Sequence, residues 1–534
     1  MSIDQTSRSL WQKAGPTRRA AFLSCFLAGY LGHLYAFTNL IPNSDGLSRM
    51  FDPQQMTVSG RWFLHYASAL NDFTQMPALI GLLSVLFLSL AAALTVDLLG
   101  LRSRVLSGLT GAVMALFPCV GYTFLYMFTA SAYSLAILLA VLSVWLARRG
   151  RIQWLLGAVA MALAMGIYQA YATVAIALAL LVVFRQVLDP ESSFRGTLNL
   201  GLRLVGYLAA GAVLYYVILL IFLKVKNLEL LSYLGMDAAT SGYPFAQLPS
   251  LVVEAYKQVV AFFFLPGSAN GFASGFMVLL DVAAFLLGAA CFGVVMTRRK
   301  LWKEKWRIVG AVAMVALLPL GMNFMQVLSP YSAPTPLMKY AFVCVYLLVF
   351  LVLDALDALP ELSSGLRRWA LPVGAAWSAL LLLFCLNTNN LLYTASAQAH
   401  RSTESYATRL LARIESCEGY EPGMEIAIVG AVPQDQIQSD IPSYLQVDHY
   451  SVPLNSVLPL NKHIYYYLND WLNVPVEEPE EETMIAISDS PEFQAMPLYP
   501  AQGSVQVLDG RVVVRMGSEY TPKSDFEIAY ENRR

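Results

Sequence analysis

Charge is what this chain has least of. Only 13% of its 534 residues are Asp, Glu, Lys or Arg, where soluble domains carry about 25%. Cysteine and histidine are scarce too, at six and five. Cys25, Cys291, Cys344 and Cys385 lie inside apolar runs, Cys119 lies at the end of one, and Cys417 stands alone in the polar tail. That distribution excludes a disulfide framework, and no CxxC pair or His/Cys cluster calls for a metal. No repeat of the kind that builds secondary transporters is visible. A cofactor fingerprint is also missing, so the expectation is no cofactor and no metal.

Apolar residues fill the space left by charge. They make up 57% of the chain, and mean hydropathy is +0.55. Only a bilayer rewards so much apolar surface, and a membrane helix needs about 20 mostly apolar residues. Runs of that order occur at 20–41, 76–99, 105–120, 130–146, 154–168, 172–184, 204–223, 274–296, 308–328, 337–355 and 370–386. The expected fold is a polytopic α-helical membrane protein with about eleven spans. Lys13, Arg18 and Arg19 precede a first run too long for a cleavable signal, which reads as an uncleaved span.

Basic residues test this map, because they collect on the cytoplasmic side. Alternate loops counted from a cytoplasmic N-terminus place 20 of the 26 Lys and Arg of residues 1–386 inside. They cluster at Arg102/Arg104, Arg148/Arg149/Arg151, Arg185/Arg195/Arg203, 298–307 and Arg367/Arg368. Arg49, Arg61, Lys224, Lys226, Lys257 and Lys339 fall outside. Loop placement thus accounts for the basic residues, and no nucleic acid is expected. The tail has the opposite balance, with 21 acidic against 9 basic residues over 387–534.

These boundaries divide the chain into a cytoplasmic N-terminus (1–19), a membrane domain (20–386) with external loops 42–75 and 224–271, and an external α/β domain (387–534). In the tail, 397–416 has helical spacing. Residues 424–430 (MEIAIVG) and 484–487 read as buried strands, and 477–482 as a solvated acidic loop. Asp509-Gly510 between two Val-rich stretches signals a hairpin.

The first external loop is the most loaded with chemistry. It holds Asn43, Ser44 and Asp45, then Arg49, then Gly60-Arg61-Trp62 and His65. Asn43, Ser44 and Asp45 are also good helix caps, and Arg61 with Trp62 suits an interfacial anchor. Both readings stay open on the residues alone. A single carboxylate among several cations fits glycosyl transfer from a polyprenyl-phosphate sugar. The leaving phosphate needs no protonation, so one base deprotonates the acceptor hydroxyl while cations hold the developing charge. A glycosidase would need two carboxylates flanking the bond. Arg49, Arg61, His65 and Lys339 are the candidate phosphate ligands. Asn43, Trp62, Tyr168, Gln169 and Tyr171 are candidates for a substrate groove. Lys224, Lys226 and Lys339 also suit snorkelling anchors. Asp281 lies within a span, where an acid is costly. Asp97, Asp354 and Asp357 near span ends read as structural, and His33 as bonded to a neighbouring helix.

The Asn43-x-Asp45 pair, Gly60-Arg61-Trp62, Gly166-Ile167-Tyr168-Gln169-Ala170-Tyr171 and MEIAIVG resemble the Gtr-type glucosyltransferase II family over most of the chain. The resemblance implies a GT-C type membrane fold and a catalytic Asp, here Asp45, in the first external loop. It also implies a polyprenyl-phosphate-glucose donor made by a separate synthase, and a surface glycan such as O-antigen as acceptor. The setting would be the bacterial inner membrane, with the tail in the periplasm. Ser44 stands where the family often shows a second acid; this departure counts against a paired-carboxylate or metal role and leaves the single-base mechanism standing, with inversion implied by the single base and the family. A lipid-linked oligosaccharide polymerase or ligase is the alternative enzyme. A flippase would show charges deep in several spans and pseudo-symmetric halves, and neither is evident.

Overall fold

The computed structural model describes residues 12–47, 56–71, 75–230, 244–267, 272, 274–329, 334–359, 364–433, 437, 457–458 and 461–522. It divides into two compact units, one of residues 1–40 and 53–391, the other of 41–52 and 392–534. The helix Ser364–Glu415 contributes to both.

The first unit is a bundle of apolar helices, and the chain is a polytopic helical membrane protein. Among the described residues nine helices are long and apolar enough to cross a bilayer: Pro77–Leu99, Arg104–Phe124, Met127–Ala147, Gln169–Leu188, Phe194–Val225, Gly275–Arg298, Lys305–Met322, Tyr340–Asp357 and Pro372–Glu415. Arg151–Ile167 is apolar but shorter, and Pro16–Gly32 has 17 residues. All eleven apolar runs of the sequence fall on helical segments. Arg104–Phe124 is the most enclosed of the nine, whereas Phe194–Val225 leaves Leu202, Val205, Val213 and Ile221 exposed. Apolar side chains on that outer face suit lipid as their solvent. His33 sits where the helix Pro16–Gly32 ends, and its Nε2 lies 2.9 Å from the Ala115 carbonyl of a neighbouring helix.

The arginines of alternate connections converge on one end of this bundle, where they meet helix C-termini. Arg148 and Arg185 both donate to the Leu98 carbonyl, at 3.0 and 3.2 Å. Arg203 donates to the carbonyls of Ala147, Arg149 and Gly150, and Arg299 to those of Leu188 and Ala355. The last carbonyls of a helix have no internal partner and carry the negative end of its dipole, so guanidinium groups suit them. Asp97 and Asp354 are structural at this end, as expected. Asp97 pairs with Arg18 at 2.9 Å and accepts from Trp145 Nε1, while Asp354 accepts from the backbone N–H groups of Arg102 and Ser103. Asp281 is buried within Gly275–Arg298 and accepts from the Tyr346 hydroxyl at 2.8 Å.

The second unit is built on a three-stranded sheet of β1 (Ile426–Val429), β2 (Val505–Leu508) and β3 (Arg511–Arg515), in the order β1-β3-β2. β2 and β3 form the hairpin, turning at Asp509 and Gly510, both at positive φ, and β1 joins β3 in parallel. Side chains alternate across a strand. Ile426, Ile428, Val512 and Val514 face a core with Tyr406, Leu410 and Ile414, and Ala427, Val429 and Val513 face Met484, Phe493 and Met496. The open edge of β1 is closed by Tyr465, whose hydroxyl accepts from Ile428 N and donates to Ile426 O.

One tail expectation is corrected. Residues 484–487 are not a strand: they lie within the helix Glu481–Asp489, so the acidic run is a loop only as far as Glu480. Acidic residues in a first turn favour a helix, and only Met484 and Ser488 of this one are buried, four apart on one face.

Candidate functional site

In the first unit, two segments distant in sequence lock together. The helix Arg151–Ile167 ends where Tyr168 turns extended (φ −159°, ψ 119°), and the chain resumes through the short turn Gln169–Tyr171. At this break Phe63 N donates to the Gly166 carbonyl at 2.8 Å. Gly166 must lack a side chain, because a Cβ there would stand 2.7 Å from the Trp62 ring. Gly60 is constrained twice, by φ 79° and by a Cβ position only 2.6 Å from the Tyr215 hydroxyl.

Gln169 is the pin of this junction. Its buried amide nitrogen donates to the Ser59 carbonyl at 3.0 Å and to the Tyr215 hydroxyl at 2.9 Å, and that hydroxyl donates to the Gly60 carbonyl at 3.0 Å. Trp62 lies nearly parallel to Tyr215 and Phe222, with centroids 6.4 and 5.6 Å away. Held from both sides, Arg61 comes to lie on an aromatic platform. Its guanidinium carbon is 4.4 Å from the centre of the Tyr168 ring, and Nη1 donates to the Tyr133 hydroxyl at 3.3 Å. Tyr133 stacks on Tyr168 at 4.9 Å, and Tyr171 meets both rings edge-on. A cation over such rings gains electrostatically and keeps its planar donors oriented.

The structure thus unites Arg61, Trp62, Tyr168, Gln169 and Tyr171, five of the residues selected from sequence. It adds Tyr133, Tyr215 and the Ser59 carbonyl, which sequence reasoning missed. His65 is half-buried on the helix Leu64–Ser68 beside Tyr66. Lys339 follows the turn Pro336–Met338, is only 4% exposed, and sits 5.8 Å from the Phe262 ring. Burial pushes its ammonium down from the ordinary lysine value to about 8.

Asn43 and Asp45 belong to the second unit. Asn43 is buried, and its side-chain oxygen accepts from Gly46 N, which makes it the cap of the short helix Ser44–Leu47. Leu47 anchors that helix in the core of the unit, among Tyr406, Ile464 and Tyr467. Asp45 is exposed on it. Arg49 lies outside the described residues.

No curated protein and no solved structure matches the chain. The family model described as glucosyl transferase GtrII matches residues 34–353, more than half of the sequence and inclusive of both interlocked segments. The chain belongs to the glucosyl transferase GtrII family and is a membrane-embedded glycosyltransferase.

Proposed function

We propose that this glycosyltransferase moves a glucosyl group from a polyprenyl-phosphate donor to a surface glycan at the external face of the bacterial inner membrane, with inversion at the anomeric carbon. The acceptor hydroxyl oxygen bonds to that carbon as the bond to the donor phosphate oxygen breaks. The electron pair leaves with the phosphate, and the hydroxyl proton passes to a carboxylate, which we assign to Asp45. The observation that carries the reading is Arg61, an oriented guanidinium held over Tyr168 and bonded to Tyr133. A planar fork of donors is suited to an anionic phosphate, and here it takes charge that develops only as the bond breaks. Lys339 is assigned as a second cation for the phosphate. Tyr168 and Tyr171 supply aromatic surface for the sugar or the prenyl chain. The GT-C type of fold and the periplasmic placement of the second unit belong to the same proposal.

The test is transfer of radiolabelled glucose from polyprenyl-phosphate-glucose to envelope glycan by purified protein, wild type beside Asp45→Asn and Arg61→Gln. Loss of a general base costs about 10²- to 10⁴-fold, so transfer by Asp45→Asn should fall by that factor while the protein stays folded. Full activity in Asp45→Asn would remove the assigned base and leave the reaction standing. Absence of transfer from every polyprenyl-phosphate sugar would overturn the reaction class and favour a polymerase or ligase.

A further inference from the structure

The arginine-rich end of the bundle holds a cavity of about 700 Å³ that nothing in the proposed glycosyl transfer uses. Five cations border it: Arg102, Arg185, Arg298, Arg299 and Lys300. They come from separate places in the chain, namely the turn after Pro77–Leu99, the end of Gln169–Leu188, and the turn after Gly275–Arg298. Placement of basic residues on one side of a membrane explains their sign but not their convergence on one concavity.

The three acids on its wall, Asp189, Glu191 and Asp354, offset the five cations only in part and leave an excess of positive charge. Asp354 accepts from the backbone N–H groups of Arg102 and Ser103, and Asp189 accepts from Glu191 N. Glu191, the third, is exposed. Among the described residues none of the five cations forms an ion pair with a carboxylate. Burial, and after it the charge of Arg102, holds the Arg299 guanidinium below its ordinary value. Arg185 and Arg299 are half-buried and fixed by backbone carbonyls, Arg185 to Leu98 at 3.2 Å and Arg299 to Leu188 at 2.8 Å. Each guanidinium has five donor hydrogens, so these bonds orient the group and leave donors for a ligand. Arg102, Arg298 and Lys300 are exposed at the rim. Leu99, Leu188, Leu351 and Leu359 supply an apolar wall.

We propose that this cavity is a binding site for a phosphate-bearing anion, taken from the lipid headgroups at that membrane surface or from a soluble phosphate ester. Two fixed guanidinium groups at the wall and three exposed cations at the rim form a cradle for the phosphate. The leucines favour a ligand that brings an alkyl chain. Basic pockets between span ends on the cytoplasmic side recognise anionic headgroups in this way.

The experiment uses the full chain purified in zwitterionic detergent, with phosphatidylglycerol, phosphatidylcholine and inorganic phosphate as probes. Lipid retained per molecule is counted by native mass spectrometry, and melting temperature is followed in parallel. The triple variant Arg102→Gln, Arg298→Gln, Lys300→Gln removes only rim charges whose side chains donate no hydrogen bond to another element among the described residues. It should bind phosphatidylglycerol at least about tenfold more weakly than wild type, with phosphatidylcholine retention unchanged. The double variant Arg102→Lys, Arg298→Lys keeps the charge and should keep binding, which separates loss of charge from damage to the fold. Stabilisation of wild type by phosphatidylglycerol alone identifies a lipid source. Stabilisation by inorganic phosphate that the triple variant loses identifies a soluble one. Equal retention of both lipids by wild type together with no stabilisation by inorganic phosphate, or undiminished binding by the triple variant, overturns the proposal.

Discussion

Gln169 shows how one side chain can pin two segments that are distant in sequence. Its amide nitrogen satisfies both the Ser59 carbonyl and the Tyr215 hydroxyl. Truncation leaves buried polar groups unpaired at about 1–3 kcal/mol. Gln169→Ala should therefore lower the melting temperature in detergent and release the segment that carries Arg61. A variant with full activity and wild-type melting would show that the junction does not depend on this amide. Lys339 gives a pH dependence with a definite sign. Its ammonium titrates at about 8 because burial disfavours the charged form. If the charged form binds donor phosphate, kcat/KM should fall as pH rises through about 8, since that ratio reports the free enzyme. Lys339→Arg, charged at every accessible pH, should carry the activity further into alkaline solution. A limb unmoved by this substitution would detach Lys339 from the phosphate. The sequence motifs held Arg61, Trp62 and Gln169 because they are compact in the chain. Tyr133 and Tyr215 were invisible for the opposite reason: each lies in a long apolar run without a motif, and its partner lies far away in sequence.

At the scale of elements, apolar length and charge placement were readable because a bilayer imposes both. The hairpin at Asp509-Gly510 was readable because its turn needs two residues at positive φ. Residues 484–487 misled, since a short apolar run fits a buried strand and a helix turn equally well. The acidic residues before it are the cue that decides for the helix. Arg307 is a further element-scale feature that no motif reveals. It is wholly buried at the start of Lys305–Met322, where its guanidinium donates to the carbonyls of Val187, Asp189, Pro190 and Ser192 and to the Ser192 hydroxyl. One side chain thereby fixes the whole connection between Gln169–Leu188 and Phe194–Val225. Removing the guanidinium leaves buried acceptors unpaired, at about 1–3 kcal/mol for each one that water cannot reach. Arg307→Met should show that loss as a lower melting temperature, together with faster proteolysis between Asp189 and Ser193. Unchanged proteolysis there would mean that the connection is held without it.

For the whole molecule, the sign of the membrane orientation is the decisive quantity, and the cysteines provide a direct probe. Five of the six are buried, and Cys417, in the second unit, is half-exposed. Cys417 donates to the Val505 carbonyl, and burial raises its thiol above the ordinary value. The thiolate attacks maleimide, so labelling should be slow at neutral pH and speed up as the solution is made alkaline. The basic ends of the spans predict a cytoplasmic face for Arg102, Arg148 and Arg299, and the eleven spans expected from the sequence would then put the second unit outside, as proposed. A membrane-impermeant maleimide added to spheroplasts at alkaline pH should therefore modify wild-type protein once per chain, and Cys417→Ser not at all. Lysis of the spheroplasts should add no second label. Labelling that appears only after lysis would reverse the orientation. It would also carry Asp45, which shares the second unit, to the cytoplasmic side, and so remove the external face from the proposed reaction.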